Sequence, residues 1–293
     1  MHYTYDGTFD GLLTTLRRIW QVGRGEVLSI WPASGAQGGL FGATVHVVTD
    51  EITARAVWAN LLRWLSEKAR ERLYYVFLAE QLDSEILIYR YLQQTLAQQG
   101  TDISEQYADD TVRRVHELSR WLGREKHRME AFVRFEQTTA GLYHATIDPD
   151  VNVLPIIAGH FARRYADQHW LIFDRRRRYG IRFDGRRVQL VHPDAGRSGG
   201  VGRGALVPAA LTEREPMYQH LWQTYYASAT IAARRSPERH RRHLPKRYWK
   251  YLTEKRPLVA PSIAAPASIS TAANESRPAP DRKLREHRAR PGK

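Results

Sequence analysis

Cysteine is absent from the 293 residues, which removes disulfides, thiolate zinc sites, iron–sulfur clusters and cysteine nucleophiles together. Long apolar runs are missing as well: none approaches the ~18 residues of a membrane helix. The opening Met1-His2-Tyr3-Thr4-Tyr5-Asp6 has no basic-then-apolar signal pattern. A cytoplasmic protein with no membrane partner is therefore expected. No His-Glu-x-x-His or similar ligand spacing occurs, and the glycine-rich segment 199–204 lacks the Lys-Ser/Thr ending of a phosphate loop. Neither a metal nor any other cofactor is expected. Negative charge is in short supply: 31 Asp+Glu face 45 Lys+Arg, a formal net charge of +14. Such a balance attracts polyanions, nucleic acid first among soluble ones.

What is present belongs to a folded chain. A hydrophobic share of 42% with 11% aromatics is enough for a sizeable core. Residues 3–5 alternate like a short strand, and Phe9, Leu12, Leu13, Leu16 and Trp20 then fall on one helical face, with Asp6 or Thr8 as cap. Residues 44–48 read as a buried strand. Helical spacing continues from Asp50 to about Met129, broken near Ser66 and restarted at Asp83 or Ser84. Residues 132–136 and 142–147 read as paired strands. Pro155 suits the first turn of a helix reaching Tyr165, and a meander follows over 170–174, 179–184 and 187–191. Asp184-Gly185 favours a type I′ hairpin turn. A last helix is expected over 213–235, and the Pro-, Ala- and Ser-rich residues 257–293 read as a disordered basic tail. The expectation is an α+β protein, residues 1–256. A helix-rich part at about 50–130 packs with an antiparallel sheet at about 132–191, and helices close the chain.

Positive charge is concentrated beside aromatics. Arg163 and Arg164 end the helix before the meander, and Arg175, Arg176, Arg177 and Arg178 fill the turn between two predicted strands. Each guanidinium can fork two hydrogen bonds onto a phosphate. The bland reading is a solvated turn. The stretch from Arg234-Arg235 through Lys250, containing Arg239, Arg241, Arg242, Lys246, Arg247, Tyr248 and Trp249, forms a second cluster, suited to phosphate contact and base stacking, or to packing of the two aromatics. Asp174 is a metal ligand or general base beside bound phosphate, or else a turn cap or a partner of Arg178. His160 is a catalyst or a hydrogen-bonded core histidine. With Glu136 these two make up the candidate catalytic set of an alternative, a stand-alone DNA-processing hydrolase. A basic protein–protein adaptor is a third reading.

Four segments, in order, carry a family resemblance: Tyr5-Asp6-Gly7-Thr8-Phe9-Asp10-Gly11-Leu12-Leu13, the stretch EKHRMEAFVRFE from Glu125 to Glu136, residues 160–180, and Leu244-Pro245-Lys246-Arg247-Tyr248-Trp249. Over about 3–254 the chain resembles a bacterial family of unknown function described as DNA-metabolism or DNA-repair proteins. Its members occur alone or fused to a uracil-DNA-glycosylase-like domain, and are associated with a radical-SAM DNA-repair protein. The resemblance implies work on DNA beside a radical-SAM partner. It supplies no catalytic residues. The glycosylase-type Gly-x-Asp-Pro loop and the cluster cysteines of a radical-SAM enzyme are both absent from this chain, so those chemistries would belong to partners. Arg234-Arg235-Ser236 departs from the family, which carries an asparagine in that basic segment. The resulting expectation is a DNA-binding component whose contacts are Arg163, Arg164, the 175–178 arginines and Lys246 to Trp249.

Overall fold

Tyr3 and Tyr5 are buried because β1 (His2–Tyr5) is the middle strand of a three-stranded parallel sheet. The computed structural model describes residues 1–23, 26–35, 43–193, 210–230 and 236–257. The glycine-rich segment 199–204, Arg234 and Arg235, and residues 258–293 of the expected tail lie outside the described residues. β1 pairs with β2 (Ser29–Pro32) and β3 (Thr44–His46). Parallel pairing of β1 and β2 needs a crossover, supplied by α1 (Phe9–Val22). Thr8 caps α1 by accepting from the Gly11 N–H at 2.9 Å, and Asp6 in turn accepts from the Thr8 N–H and hydroxyl. β3 differs from its expected burial: it is an edge strand with one neighbour, Thr44 and His46 are exposed, and only Val47 beyond it is buried.

Four helices follow: α2 (Glu51–Trp64), α3 (Glu67–Leu78), α4 (Ser84–Ala97) and α5 (Asp110–Phe132). Asp50, Ser66 and Asp109 accept from backbone N–H groups at the first turns of α2, α3 and α5, where four donors would otherwise be orphaned. α5 absorbs the start of the strand expected at 132–136. Met129 and Val133 share its buried face, and the Val133 N–H still donates to the Met129 carbonyl at 3.1 Å. Only Glu136–Gln137 remain as β4.

The second sheet has the order β4-β5-β6-β7-β8, with β5 (Tyr143–Ile147), β6 (Trp170–Asp174), β7 (Tyr179–Phe183) and β8 (Val188–Val191). It is mixed, not purely antiparallel as expected. β5 and β6 run parallel because α6 (Leu154–Arg164), started by Pro155, carries the chain back to the same end of the sheet. The β7–β8 turn also differs in detail. Gly185 alone takes positive φ (+85°), and Asp184 accepts from the Arg186 and Arg187 N–H groups at 2.9 Å. The central pair is thus Gly185-Arg186, the pattern with glycine first.

α7 (Glu215–Ser228), α8 (Pro237–His243) and 3-10 turns at Lys246–Tyr251 and Thr253–Lys255 close the described chain. One apolar core joins the first sheet to α1–α4 and the start of α5. The other joins the end of α5, α6, the second sheet and Tyr248. Phe77 and Trp121 pack against both. The fold is α+β. Among the described residues no helix is long and apolar enough to cross a membrane.

Candidate functional site

The arginine turn between β6 and β7 is organised by Asp174, which is fully buried. Its Oδ1 accepts from the Arg176 N–H at 2.9 Å and the Arg177 N–H at 3.0 Å, while its carbonyl accepts from Arg178, held at φ +57°. Burial pushes the Asp174 carboxyl above its usual range in spite of these donors. The Arg177 guanidinium is wholly engaged. It donates to Glu80 at 2.8 Å, to Asp174 Oδ2 at 3.0 Å, and to the carbonyls of Pro149 and Asp150, both at 3.2 Å. Burial works against its charge, but Glu80 and Asp174 outweigh that and hold its pKa above the usual value. Arg177 is therefore a keystone inside the fold, not a fourth projecting contact. Arg175, Arg176 and Arg178 are exposed as the sequence suggests. Asp174 caps the turn and pairs with Arg177, where the sequence pointed to Arg178.

The second cluster divides in the same way. Tyr248 is buried (2% exposed), and its hydroxyl donates to Glu125, a carboxylate with no exposure. Glu125 also takes Arg128 at 3.1 Å and Arg247 at 3.2 Å. Arg247 pairs in addition with Asp150, which lies 3.8 Å from Arg176. A buried carboxylate needs such partners, so Tyr248 belongs to the core and cannot stack a base. Trp249 is half-buried, its Nε1 donating to the Leu244 carbonyl at 3.0 Å. Lys246 is exposed, as are Arg163 and Arg164 at the end of α6, where Arg164 lies 5.7 Å over the Tyr165 ring.

The three candidate catalytic residues do not share a site. Glu136 stands opposite His144, and Asp174 opposite Ile147, three residues further along β5. At ~3.3 Å per residue and ~4.8 Å per strand, their backbones are about 14 Å apart. Glu136 pairs with Arg256 at 2.6 Å, and His160 on α6 faces Glu130 at 4.0 Å.

A different constellation emerges on α5. Arg120, Arg124 and Arg128 recur at four-residue spacing with His127 beside them, and Arg242 and His243 of α8 face them across a groove of about 510 Å³. Arg120, Arg124 and Arg242 form no ion pair among the described residues, although Arg128 is tied to Glu125. Like charges at i,i+4 cost about 0.2–0.5 kcal/mol per pair, so folding alone gives no reason to align them. Gly123 lines the same groove. A Cβ there would meet nothing within 4 Å, so packing does not call for a glycine that costs a helix about 1 kcal/mol against alanine. The signal was in the sequence: arginines at 120, 124 and 128 with no acid at i±4 to pair them.

The groove and the arginine turn are joined through charged contacts, Arg128 to Glu125 to Arg247 to Asp150 to Arg176. The arrangement can hold successive phosphates, with the buried Glu125 fixing Arg128 and Arg247 from behind. No curated protein and no solved structure gives a significant match to the chain. Residues 82–254, more than half of the chain, match the domain of unknown function DUF4130. That match takes in α5, the whole five-stranded sheet and every groove residue, and on it the chain belongs to the DUF4130 family.

Proposed function

We propose that the protein binds DNA through the α5–α8 groove, with Arg175, Arg176 and Arg178 extending the contact over the β6–β7 turn. The observation that carries this reading is the set of uncompensated arginines: Arg120, Arg124 and Arg242 line one groove with no carboxylate partner among the described residues. Phosphates supply the missing charge, and guanidinium groups bind them bidentately. Arg163, Arg164 and Lys246 are exposed and add further positive charge for the polyanion. The resemblance to DNA-repair proteins supports DNA as the polyanion. It also supports a role as the DNA-holding component beside a radical-SAM repair or modification enzyme, with the bond-breaking chemistry in that partner.

The test is a titration of labelled oligonucleotides, single- and double-stranded, at salt between about 50 and 200 mM. Affinity falling steeply and linearly in log–log form is the expected result. Undetectable binding at the lowest salt removes the DNA reading and favours an acidic protein partner.

A further inference from the structure

α7 leaves an unusual face uncovered. Met217, Tyr218, Leu221, Trp222 and Tyr225 are all exposed, Tyr225 by 63% and Tyr218 by 48%. Three of the five are aromatic and lie within eight residues of one helix, on neighbouring turns. Apolar clusters of this kind mark binding surfaces.

Beside this face lies a pocket of about 350 Å³, lined by Phe135, Tyr143, Tyr218 and Trp222, at the lower end of the range for small-ligand sites. Trp222 is held in place from two directions. Its indole N–H donates to Glu254 at 2.8 Å, and the Arg134 guanidinium covers the ring at 5.4 Å while forking onto Glu254 at 2.8 and 3.3 Å. A ring fixed in this way loses little freedom on stacking.

Besides the tyrosine hydroxyls, the polar groups of the pocket are Glu215, Gln219, Gln137, Thr253 and Arg134, whose guanidinium is already taken by Glu254 and the carbonyls of Ala131 and Val133. Glu215 is buried (6% exposed) and accepts from the Gln137 N–H at 3.0 Å and the Gln219 amide at 3.2 Å. Both of its oxygens act as acceptors here, an arrangement that favours an amine edge over a carbonyl edge. Carboxylate to cytosine N4 and glutamine to adenine are the pairings this chemistry allows.

The walls of the pocket and of the basic groove are linked along the chain. α5 leads from Arg124 to Phe132 and on to Arg134 and Phe135, while the segment after Arg242 leads to Thr253 at the pocket wall. The helical part spans about 12 Å at ~1.5 Å per residue, or three to four stacked nucleotides at ~3.4 Å each.

We infer that the α7 pocket takes an unpaired base bearing an exocyclic amine, cytosine or adenine, from the strand whose phosphates lie in the α5–α8 groove. This rests on the DNA-binding reading above and adds to it a site for one base.

The experiment compares the full chain with Tyr218→Ala and Trp222→Ala on single-stranded dA, dC and dT oligomers and on a duplex. Stacking on one aromatic is worth roughly fivefold to a hundredfold in affinity. Each variant should lose affinity on that scale for dA and dC with the salt slope unchanged, since stacking releases no counterions. Duplex affinity should stay the same, and the wild type should prefer dA and dC to dT. Tyr218→Ala guards against a folding artefact, because its half-exposed ring can be removed without opening the core. Unchanged single-strand affinity in a folded Tyr218→Ala protein overturns the base pocket, while a steep wild-type salt slope would leave the groove reading standing. Failure of wild type to bind any strand removes both. A wild-type dimer dissolved by Tyr218→Ala would give this face to a second copy and also overturn the inference.

Discussion

Replacing Arg120 and Arg124 together with glutamine should weaken DNA binding and leave the fold as stable or slightly more so. The double change removes two like-charge i,i+4 pairs, 120–124 and 124–128, at about 0.2–0.5 kcal/mol each. Glutamine and arginine have nearly equal helix propensity, and neither arginine has a carboxylate partner to lose among the described residues. The expected stability change is zero to about +1 kcal/mol, or up to about +4 °C in Tm for a chain of this size. On DNA, two lost phosphate contacts should make the log–log salt slope shallower by about 1.8 on duplex and about 1.4 on single strands. Anisotropy titrations across a salt series give the slope, and a thermal melt gives the Tm. An unchanged slope would refute the groove as the phosphate site. A Tm lower by several degrees would show that these arginines stabilise the fold and that the argument from charge repulsion is wrong.

Arg177→Gln should behave in the opposite way. It strands the buried Asp174 carboxylate, at the low end of the 3–5 kcal/mol for a broken buried pair because Glu80 is half-exposed. Tm should drop by about 6–12 °C, whereas Arg175→Ser with Arg176→Ser should move it by about a degree or two and lower DNA affinity instead. Equal melts for the two variants would sink the distinction between keystone and contact. His144 adds a pH dependence. Burial lowers its pKa, with Glu136 opposing. The unfolded state therefore takes up the proton first, near pH ~6.5. Stability from this site is full above that value and is lost as pH falls from it toward the lowered folded value. Melts at neutral and mildly acidic pH should show a smaller acid loss in His144→Gln than in wild type. The same loss in both would remove His144 as the cause.

Much of the fold was legible because it obeys local rules. The cap at Thr8, the helix start at Asp50, the break at Ser66, Pro155 at the start of α6, and the run from β6 to β8 are fixed by neighbours a few residues away. Non-local pairing was not legible. The parallel match of β5 with β6, and the parallel first sheet, depend on crossovers that alternation does not encode. The site failed in a more instructive way. A run of four arginines stands out in one dimension, yet Arg177 is consumed by Glu80, which lies 97 residues away in sequence. Glu125 likewise takes Tyr248 and Arg247 from more than 120 residues away. Arg120, Arg124 and Arg128 look sparse when written out, and converge only because the helix brings every fourth residue onto one face.

The most direct measurement is photo-crosslinking of a bound oligonucleotide followed by peptide mapping. Crosslinks should fall in the peptides holding Arg120 to Arg128 and Arg242-His243, with weaker ones at Arg175 and Arg176. Crosslinks confined to other surfaces, with the α5 peptides untouched, would contradict the account.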